Sequence, residues 1–323
     1  MKLIILSTHD PYYNLAVEEY LFQTAEDEVF MLWQNEPTVV IGKNQNAYAE
    51  VELDVLRERG IHLARRITGG GAVYHDLGNV NYTFIAKSGQ QGIDFAHFTA
   101  PILRALAELG IRAELSGRND LLVDGRKFSG NAQYSANGKT LHHGTLLFDS
   151  DLTVLSDVLR PDEEKIRSKA VRSVRSRVTN LAPLLQKKCQ TGEFIDLLAD
   201  FIDREYAPDR TEVPQSAQIS ALRARNASDA WLYPQRPLLS ISTRECRCRY
   251  PFGGVCITLQ MQHDTVISAT VTGDFFGTAP IEQLEEKLCG KTLSSLTSAL
   301  EGFDPSPYIH GMTTADLIAL LQK

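Results

Sequence analysis

Long apolar runs are absent from the sequence. The run that follows Lys2 in MKLIILSTHD is four residues long, shorter than the core of a signal peptide. No stretch approaches the roughly 20 apolar residues that a membrane span requires. The sequence therefore favours a cytoplasmic protein with no membrane association.

Paired cysteines are also absent. The chain has five cysteines, and no two of them form the CxxC spacing of a zinc site. An odd number without a paired framework indicates free thiols in a reducing compartment. Two of them alternate along a predicted strand, which is weak support for metal binding. The cysteines are Cys189, Cys246, Cys248, Cys256 and Cys289.

The sequence also lacks an excess of positive charge. Lys and Arg total 33 against 40 Asp and Glu, which gives a net charge of −7. This balance argues against a nucleic-acid-binding protein held by bulk phosphate attraction, so any anion site must be local. The length of 323 residues fits a larger domain and a smaller one in a soluble globular protein.

The first part of the chain predicts strands and helices in mixed order. VFMLW (29–33) and TVVIG (38–42) are β-rich runs separated by the turn signal QNEP, and we expect a hairpin. A helix is expected over 50–60, because its final glycine suits a left-handed cap. A strand at 61–66 follows and ends on two arginines.

The next segments predict a strand, a helix and two hairpins. VNYTFIA (80–86) alternates as a strand, and a helix is expected over 99–110 with Thr99 as its N-cap. The Asp-Gly pair at 124–125 and the Asn-Gly pair at 137–138 are hairpin signals. Three antiparallel strands should therefore surround these turns.

The last third predicts a connector and a small α+β unit. Residues 207–237 are rich in Pro, Ser, Ala and Asn with weak periodicity, and we expect a connector. Residues 251–276 indicate strands with a turn near 263–264, and three short amphipathic helices follow between 281 and 322. This unit is expected to be a separate domain.

The stretch RRITGGGAVYHDLGNVNY (65–82) combines arginines, glycines and a His-Asp pair. Three glycines without Cβ atoms allow main-chain N–H groups to approach a ligand, although a flexible turn is the simpler interpretation. The run is neither a Walker A loop nor a GxGxxG motif. Of Arg65 and Arg66, which alternate along a strand, one can face inward as a fork for a carboxylate or phosphate. HDLGN places His75 and Asp76 in a second turn, and Asp76 is either a site residue or, like Gly78 and Asn79, an ordinary turn residue.

A second cluster is SGRNDLLVDGRKFSGNA (116–132). Asn119 and Asp120 precede a strand, and Arg126 and Lys127 follow the tight turn, so an acidic group for Mg²⁺ and a cation for phosphate would share one sheet surface. A fixed ammonium group would stabilise the charge that develops when a carboxylic acid attacks a phosphate. The alternative is that Lys127 is an exposed strand residue.

The basic run at 165–177 and the histidine pair at 142–143 each allow two interpretations. KIRSKAVRSVRSR (165–177) holds six basic residues in thirteen, which indicates either a solvated face or contacts with phosphate. His142 and His143 precede GTLLF, and each is either a hydrogen-bonded structural histidine or a catalytic one.

Several motifs in register closely resemble the lipoate-protein ligase A family. They are ARRITGGGAVYHDLGNVNYTF, GRNDLLVDGRKFSGNA, HHGTLLF and SVRSRVTNL, with DPYYNLAVEEYL and PTVVIGKNQN before them and GDFFG after them. The resemblance implies an α+β fold: a large mixed-sheet catalytic domain of the biotin/lipoate ligase type and a small α+β accessory domain. The implied domains are 1–243 and 244–323.

The resemblance also implies an activity. The family uses ATP and Mg²⁺ to convert lipoate, or octanoate less well, to an acyl-adenylate, and transfers the acyl group to a lysine of a lipoyl domain. The implied acceptors are E2 subunits of 2-oxoacid dehydrogenases and the glycine-cleavage H protein. Lys127 and Arg66 would be catalytic, and Asp120 would contact Mg²⁺. The lipoate- and ATP-binding residues would be Thr68, Gly69, Gly70, Gly71, His75, Asn119, Asp120, Ser129, Gly130, His143, Arg172 and Arg175.

Two other classes of function compete with this interpretation. An acyltransferase of the same broad fold would act through a cysteine thioester, but no cysteine precedes position 189. A non-catalytic lipoate-binding protein would not require the set formed by Arg66, the glycine run and Lys127. Both alternatives are therefore weaker than the ligase.

Overall fold

The computed structural model describes residues 1–88, 93–117, 119–160, 177–234 and 242–323. Among these residues, no helix combines the length and apolar character needed to cross a membrane. The strands are β1 (Lys2–Ile5), β2 (Val29–Trp33), β3 (Thr38–Ile41), β4 (His62–Arg65), β5 (Val73–His75), β6 (Asn79–Lys87), β7 (Glu114–Ser116), β8 (Asp120–Val123), β9 (Arg126–Ala136), β10 (Lys139–Leu147), β11 (Asp209–Arg210), β12 (Ser242–Tyr250), β13 (Gly253–Gln262) and β14 (Thr265–Gly273).

The described helices lie on both faces of the sheets and in the last third of the chain. They are α1 (Pro11–Thr24), α2 (Ala47–Glu50), α3 (Leu53–Arg59), α4 (Phe95–Glu108), α5 (Leu155–Val158), α6 (Thr191–Tyr206), α7 (Ala217–Asn226), α8 (Asp229–Leu232), α9 (Ile281–Leu288), α10 (Leu293–Leu300) and α11 (Thr314–Leu321).

A large mixed sheet forms the centre of the first unit. Its strand order is β11-β1-β2-β6-β10-β9-β8-β7, with β1 parallel to both of its neighbours and the other pairs antiparallel. The helices α4 and α6 cover one face, where Phe128, Phe148 and Phe194 are fully buried. The opposite face packs against α1 and a second sheet.

The second sheet is small and has the order β4-β3-β5. Val40 and Ala64 contribute to the core shared with the large sheet, while Val39, Ile41 and Leu63 pack toward the short helices α2, α3, α5 and α8. Alternate residues of its strands therefore face two different cores.

The last unit is a three-stranded antiparallel sheet, β12-β13-β14, with α9, α10 and α11 sharing its core. The turn at His263, which has a φ of 55°, joins β13 to β14 as expected. The predicted strands and helices of this small α+β unit are confirmed, and so is the α+β fold class.

Local turn signals in the first unit are also confirmed. Asp124, Gly125, Asn137 and Gly138 all have positive φ values, from 49° to 72°, as two-residue hairpin turns require. Gly60 ends α3 in the left-handed conformation with a φ of 64°. These turns place β8, β9 and β10 side by side.

The hairpin expected between 29–33 and 38–42 is wrong. β2 pairs with β1 and β6 in the large sheet, whereas β3 pairs with β4 and β5 in the small sheet. Both strands are buried along their whole length, so each needs neighbours on both sides, and the segment between them carries the chain from one sheet to the other.

The helix expected from 99 begins earlier, at Phe95. Asp94 Oδ1 accepts a hydrogen bond from His97 N at 3.0 Å and is the true cap. The Thr99 hydroxyl lies inside the helix and donates to the carbonyl of Phe95 at 2.7 Å. The first turn is retained because Phe95 and Phe98 are buried.

The connector expected at 207–237 is wrong for the part that the structure describes. It contains α7 and α8, and α7 packs along α1, where Arg225 forms an ion pair with the buried Glu19 at 2.5 Å. The Arg225 guanidinium also stacks over the Trp231 ring, 4.1 Å from its centroid. The weak apolar periodicity of this segment does not predict a helix. An ion pair with α1 helps to hold α7 in place instead.

Candidate active site

A cleft lies between the small sheet and the large sheet. Its lining includes residues of β3 and β5 in the small sheet and of β9 and β10 in the large one. The space in and immediately outside the cleft, open solvent included, amounts to about 580 Å³. One wall is apolar and is formed by Leu15, Trp33, Val40 and Val73. The polar side chains that line it are Arg66, His75, Asn81, Asn119, Lys127 and His143.

Two successive arginines at the end of β4 take different directions. Arg65 is buried and does not line the cleft, because it donates to five main-chain carbonyls at 2.6–3.0 Å. Arg66 lines the cleft, so the prediction that one of the two faces inward is confirmed. The carbonyls bound by Arg65 belong to Gly42, Lys43, Gln45, Trp231 and Leu232.

The Arg66 guanidinium shapes the glycine run. Its Nη2 donates to the carbonyls of Gly69 and Gly71, both at 2.8 Å, and its Nη1 donates to that of Val40 at 3.1 Å. Its Nε donates to the Thr68 hydroxyl at 3.0 Å. Four of the five guanidinium N–H groups are thus engaged within the chain, so Arg66 offers its charge and one N–H rather than a free fork.

The charge of Arg66 persists despite its burial. Burial lowers the pKa of Arg66 to about 10, and the nearby Glu18 carboxylate partly opposes this shift. Because this value lies well above neutral pH, Arg66 is a permanent cation beneath the cleft. The Glu18 carboxylate is itself 1% exposed and supplies a buried counter-charge.

Thr68 and His143 connect Arg66 to this carboxylate. His143 Nε2 lies 2.9 Å from the Thr68 hydroxyl, and His143 Nδ1 lies 2.9 Å from Glu18 Oε1. Since Thr68 accepts from Arg66, its own proton points to His143, whose Nδ1–H then donates to Glu18. The predicted site residues Thr68 and His143 therefore hold Arg66 in place through a hydrogen-bond chain that ends at Glu18.

The glycine run touches the small unit. Gly70 has a φ of 88°, and its N–H donates to the carbonyl of Phe275 at 3.1 Å. A Cβ on Gly69 would collide with the same carbonyl, and a Cβ on Gly70 would lie 2.9 Å from the Phe276 ring. Glycine is required here because the GDFFG segment of the small unit lies directly against the main chain.

Lys127, on β9, also lines the cleft. Its Nζ forms an ion pair with Asp120 Oδ1 at 2.8 Å and lies next to the position that a Cβ on Gly130 would occupy. Asn119 lines the cleft and donates to the carbonyl of Asn131, while Ser129 is buried and accepts from Asn131 Nδ2 at 3.3 Å. The second sequence cluster is thus brought into the same cleft as the first.

Some predicted residues have other positions. Arg172 and Arg175 lie within residues 161–176, outside the part of the chain that the structure describes. His142 is a structural residue, stacked on Phe98 with ring centroids 5.2 Å apart and bonded to Gln133 at 3.0 Å. Asp76 has the turn role, since its carboxylate accepts from the N–H of Gly78 at 2.9 Å.

The donor set near Lys127 does not form a preassembled metal cage. Among the described residues, no group of three or more His, Cys, Asp or Glu side chains could hold a metal ion. Mg²⁺ in nucleotide-dependent enzymes takes most of its ligands from phosphates and water and needs only one or two carboxylates. Asp120 fits that requirement as a single carboxylate beside the cationic end of the cleft.

The sequence did not reveal several residues of the site. Glu18, Asn35, Asn81 and Asn131 were not singled out, although each is buried and bonded around the cleft. The pair Glu18-Glu19 in the middle of an apolar helix pattern is the one signal that could have identified the first of them, because charge is rarely buried without a partner. Among the described residues that line the cleft, none is a cysteine.

A cleft with an apolar wall and two cationic side chains, beside a glycine-rich turn, can hold a small organic acid by its apolar tail and its anionic head. The chain belongs to the lipoyl protein ligase A/B catalytic domain family, whose model matches residues 10–203. The model of the bacterial lipoate protein ligase C-terminus matches residues 243–321.

Relatives of known identity agree with this family. The lipoate-protein ligase LplJ of Bacillus subtilis is 38% identical over 97% of this chain and 97% of its own. The crystal structure of LipL1 of P. falciparum in complex with lipoate covers 100% of both chains, with a TM-score of 0.78 and 23% identity, so it shows the fold. A lipoate-protein ligase A structure bound with ATP covers 72% of this chain and 98% of its own, with a TM-score of 0.61 and 27% identity.

Proposed function

We propose that this protein is an ATP-dependent lipoate-protein ligase that acts in the two steps of its family. A carboxylate oxygen of lipoate attacks the α-phosphorus of ATP, pyrophosphate leaves, and lipoyl-AMP forms. The amine of an acceptor lysine then attacks the acyl carbon, AMP leaves with the oxygen that joined it to the acyl group, and the amine gives one proton to solvent. The observation that carries the proposal is the convergence of Arg66 and Lys127 on one apolar-walled cleft.

The apolar wall suits the tail of the acid. Leu15, Trp33, Val40 and Val73 offer no donors to a dithiolane or an alkyl chain apart from the indole N–H of Trp33, which is engaged with Thr83 at 2.9 Å. Burial of apolar area at about 25 cal/mol per Å² then supplies much of the affinity, which favours tolerance of octanoate.

The cationic end suits the phosphate. Lys127 exchanges its present partner Asp120 for the α-phosphate and the carboxylate, where its ammonium stabilises the negative charge of the transition state. Asp120, thereby released, would hold a Mg²⁺ ion that arrives with the ATP phosphates. A magnesium ion supplies further neutralisation of those phosphates when it is bound.

The finer assignments rest on the same family. We propose lipoyl domains of 2-oxoacid dehydrogenase E2 subunits and the H protein as acceptors, and a division of the chain into 1–243 and 244–323. β12, the first strand of the small unit, begins at Ser242, two residues before the second part. The cysteines, which are free in the described structure, support a cytoplasmic location.

Lys127→Ala tests the first step. We expect lipoate-dependent exchange of labelled pyrophosphate into ATP, measured without acceptor protein, to fall by about 10²–10³-fold, because one preorganised donor is lost. The fold should persist, since Lys127 is 36% exposed and a pair of this kind contributes roughly 0–1 kcal/mol. Arg126→Ala, at the exposed neighbouring position, is the matched control. An exchange rate of Lys127→Ala close to that of the wild type would contradict the role given to Lys127.

A further inference from the structure

His75 lines the cleft with one ring nitrogen held and the other free of protein partners. It is the last residue of β5 and is 3% exposed. Its Nδ1 lies 3.0 Å from Asn35 Nδ2, whereas its buried Nε2 has no hydrogen-bond partner within the described residues. A buried polar atom without a partner is costly, which points to a ligand that completes it.

A chain of hydrogen bonds from two main-chain carbonyls through Asn14 and Asn35 determines which nitrogen of His75 carries the proton. Asn14 Nδ2 lies 3.0 Å from the carbonyl of Thr8 and 2.8 Å from that of Gln34, and carbonyls only accept, so this atom is an amide nitrogen. The same nitrogen lies 3.0 Å from Asn35 Oδ1. The other end of the Asn35 amide is therefore its NH₂ group, and it donates to His75 Nδ1.

It follows that neutral His75 has its proton on Nε2. Nδ1 accepts from Asn35, and a proton on Nδ1 would face another donor. Burial lowers the pKa of His75 to about 3, and the positive charge of Arg66 and the neighbouring His143 act in the same direction. At working pH the ring is neutral and Nε2–H is a fixed donor on the surface of the cleft.

Asn81 supplies a second donor from the adjacent strand. Its Oδ1 accepts from Asn79 Nδ2 at 2.9 Å, and its own Nδ2 is buried without a partner among the described residues. Asn81 lines the same cleft as His75, on the strand that pairs with Trp33. His75 and Asn81 thus each bring one N–H group without a partner among the described residues to the lining of this cleft.

We propose that Asn14 and Asn35 are positioning residues that lock His75 as a neutral Nε2–H donor, and that His75 and Asn81 bind the substrate oxygen that becomes the acyl carbonyl. The assignment rests on the proposed function. In acyl transfer, negative charge develops on this oxygen when the lysine amine attacks, and preorganised neutral donors stabilise it without a protonation step. His75 therefore does not remove the proton of the lysine.

The state of the ring is tested without any activity. Protein labelled with ¹⁵N-histidine, with His75 assigned through His75→Gln, should show a protonated Nε2 and an unprotonated Nδ1 whose shifts do not change between about pH 5 and 8. In Asn35→Asp a carboxylate accepts from Nδ1–H, so we expect the tautomer to reverse and the pKa to rise. A wild-type His75 that titrates in this range, or that carries its proton on Nδ1, overturns the proposal.

The role of the donor is tested by transfer from preformed lipoyl-AMP to a lipoyl domain. His75→Ala should lose about 10²–10³-fold in rate, and His75→Gln, whose amide donates but cannot act as a base, should recover at least about tenfold of that loss with an unchanged pH profile. His62→Gln, at a partly exposed histidine paired with Glu36 and absent from the cleft lining, is the matched control. A His75→Gln variant as inactive as His75→Ala contradicts the donor role.

The two proposals fail in different ways. A wild-type protein that shows no lipoate-dependent pyrophosphate exchange overturns the proposed function and, with it, the substrate oxygen assigned here. Exchange and transfer in the wild type that Asn35→Asp leaves unchanged, despite a reversed tautomer, overturn only the inference about His75.

Discussion

Buried charged and titratable residues in this protein are held by partners that fix their protonation. Arg65 has five carbonyl acceptors, and Arg66 has Glu18 as a counter-charge. His142, which is fully buried, is held neutral between aromatic rings, and burial places its pKa well below the usual value of 6.5. These residues differ in chemistry, yet each keeps one protonation state in the native protein near neutral pH.

Acid should therefore destabilise the protein through its buried histidines. The unfolded chain binds a proton at His142 below about pH 6.5 while the native chain does not, so unfolding becomes more favourable as pH falls, by roughly 1.4 kcal/mol per pH unit for each such histidine. We expect His142→Gln to flatten the fall in the free energy of unfolding between about pH 6 and 4 by this amount. Urea denaturation over that range measures the slope.

The control for this experiment is His62→Gln, because His62 is only partly buried and pairs with Glu36 at the surface, whereas His142 is fully buried. Its slope should match that of the wild type. Equal slopes in the wild type and in His142→Gln would show that His142 is protonated in the native state.

At the scale of elements, the sequence predicts turns, helix ends and single strands, because these depend on adjacent residues. The glycine turns at 124–125 and 137–138, the cap at Gly60 and the strand before Arg65 were all predicted correctly, because each depends on a few adjacent residues. The separation of β2 from β3 was not predictable, since the choice of partner strand depends on residues far along the chain.

The site shows the same division. The residue types beside glycines and turns drew attention to two arginines, His75 and Lys127. The family resemblance then selected Arg66, His75 and Lys127, and all three line the cleft. Glu18 and Asn35 were missed because an acidic residue in a helix and an asparagine in a turn are ordinary in sequence. Their importance arises only where α1 and the segment after β2 meet the cleft.

Gly144 on β10 shows how closely these elements approach. A Cβ there would collide with Asn131 Oδ1 and lie 2.6 Å from the Tyr82 ring, whose hydroxyl donates to Asn131. We expect Gly144→Ala to cost about 1–3 kcal/mol in unfolding free energy through overpacking, and to reduce pyrophosphate exchange, since Gly144 also lines the cleft.

Gly192→Ala is the matched substitution, because Gly192 lies in the first turn of α6 with open space around it. Its unfolding free energy should stay equal or rise by about 0.4–1 kcal/mol. Similar results for the two variants would mean that β10 can move away from β9 at little cost.

At the scale of the whole molecule, the small unit is joined to the glycine run through its GDFFG segment. Besides the bond from Gly70 to Phe275, the N–H of Gly273 donates to the carbonyl of Asn44 at 2.9 Å. The Phe276 ring, 1% exposed, packs on Phe95 with centroids 5.5 Å apart. The second unit thus bears on the main chain that shapes the cleft.

Phe276→Ala should disturb both units. Loss of a buried ring costs roughly 3–5 kcal/mol, so we expect a lower melting temperature in calorimetry, and slower pyrophosphate exchange because the glycine run loses its cover. Tyr308→Phe, which removes only a hydroxyl bonded to Gln283 at 3.3 Å, serves as the comparison. An unchanged melting temperature and exchange rate in Phe276→Ala would show that this contact is dispensable.

The carbonyl ligands of Arg65 have a consequence for biosynthesis. Three of them, at 42, 43 and 45, precede the arginine, but those of Trp231 and Leu232 are translated long after it. Until the ribosome has released residue 232, the guanidinium has two acceptors too few and must stay hydrated, because burying an incompletely bonded charge is costly. The large unit is therefore completed late in translation, and a nascent chain paused between β10 and α8 already carries the glycine run and Lys127 but lacks two of the acceptors that hold Arg65 in place.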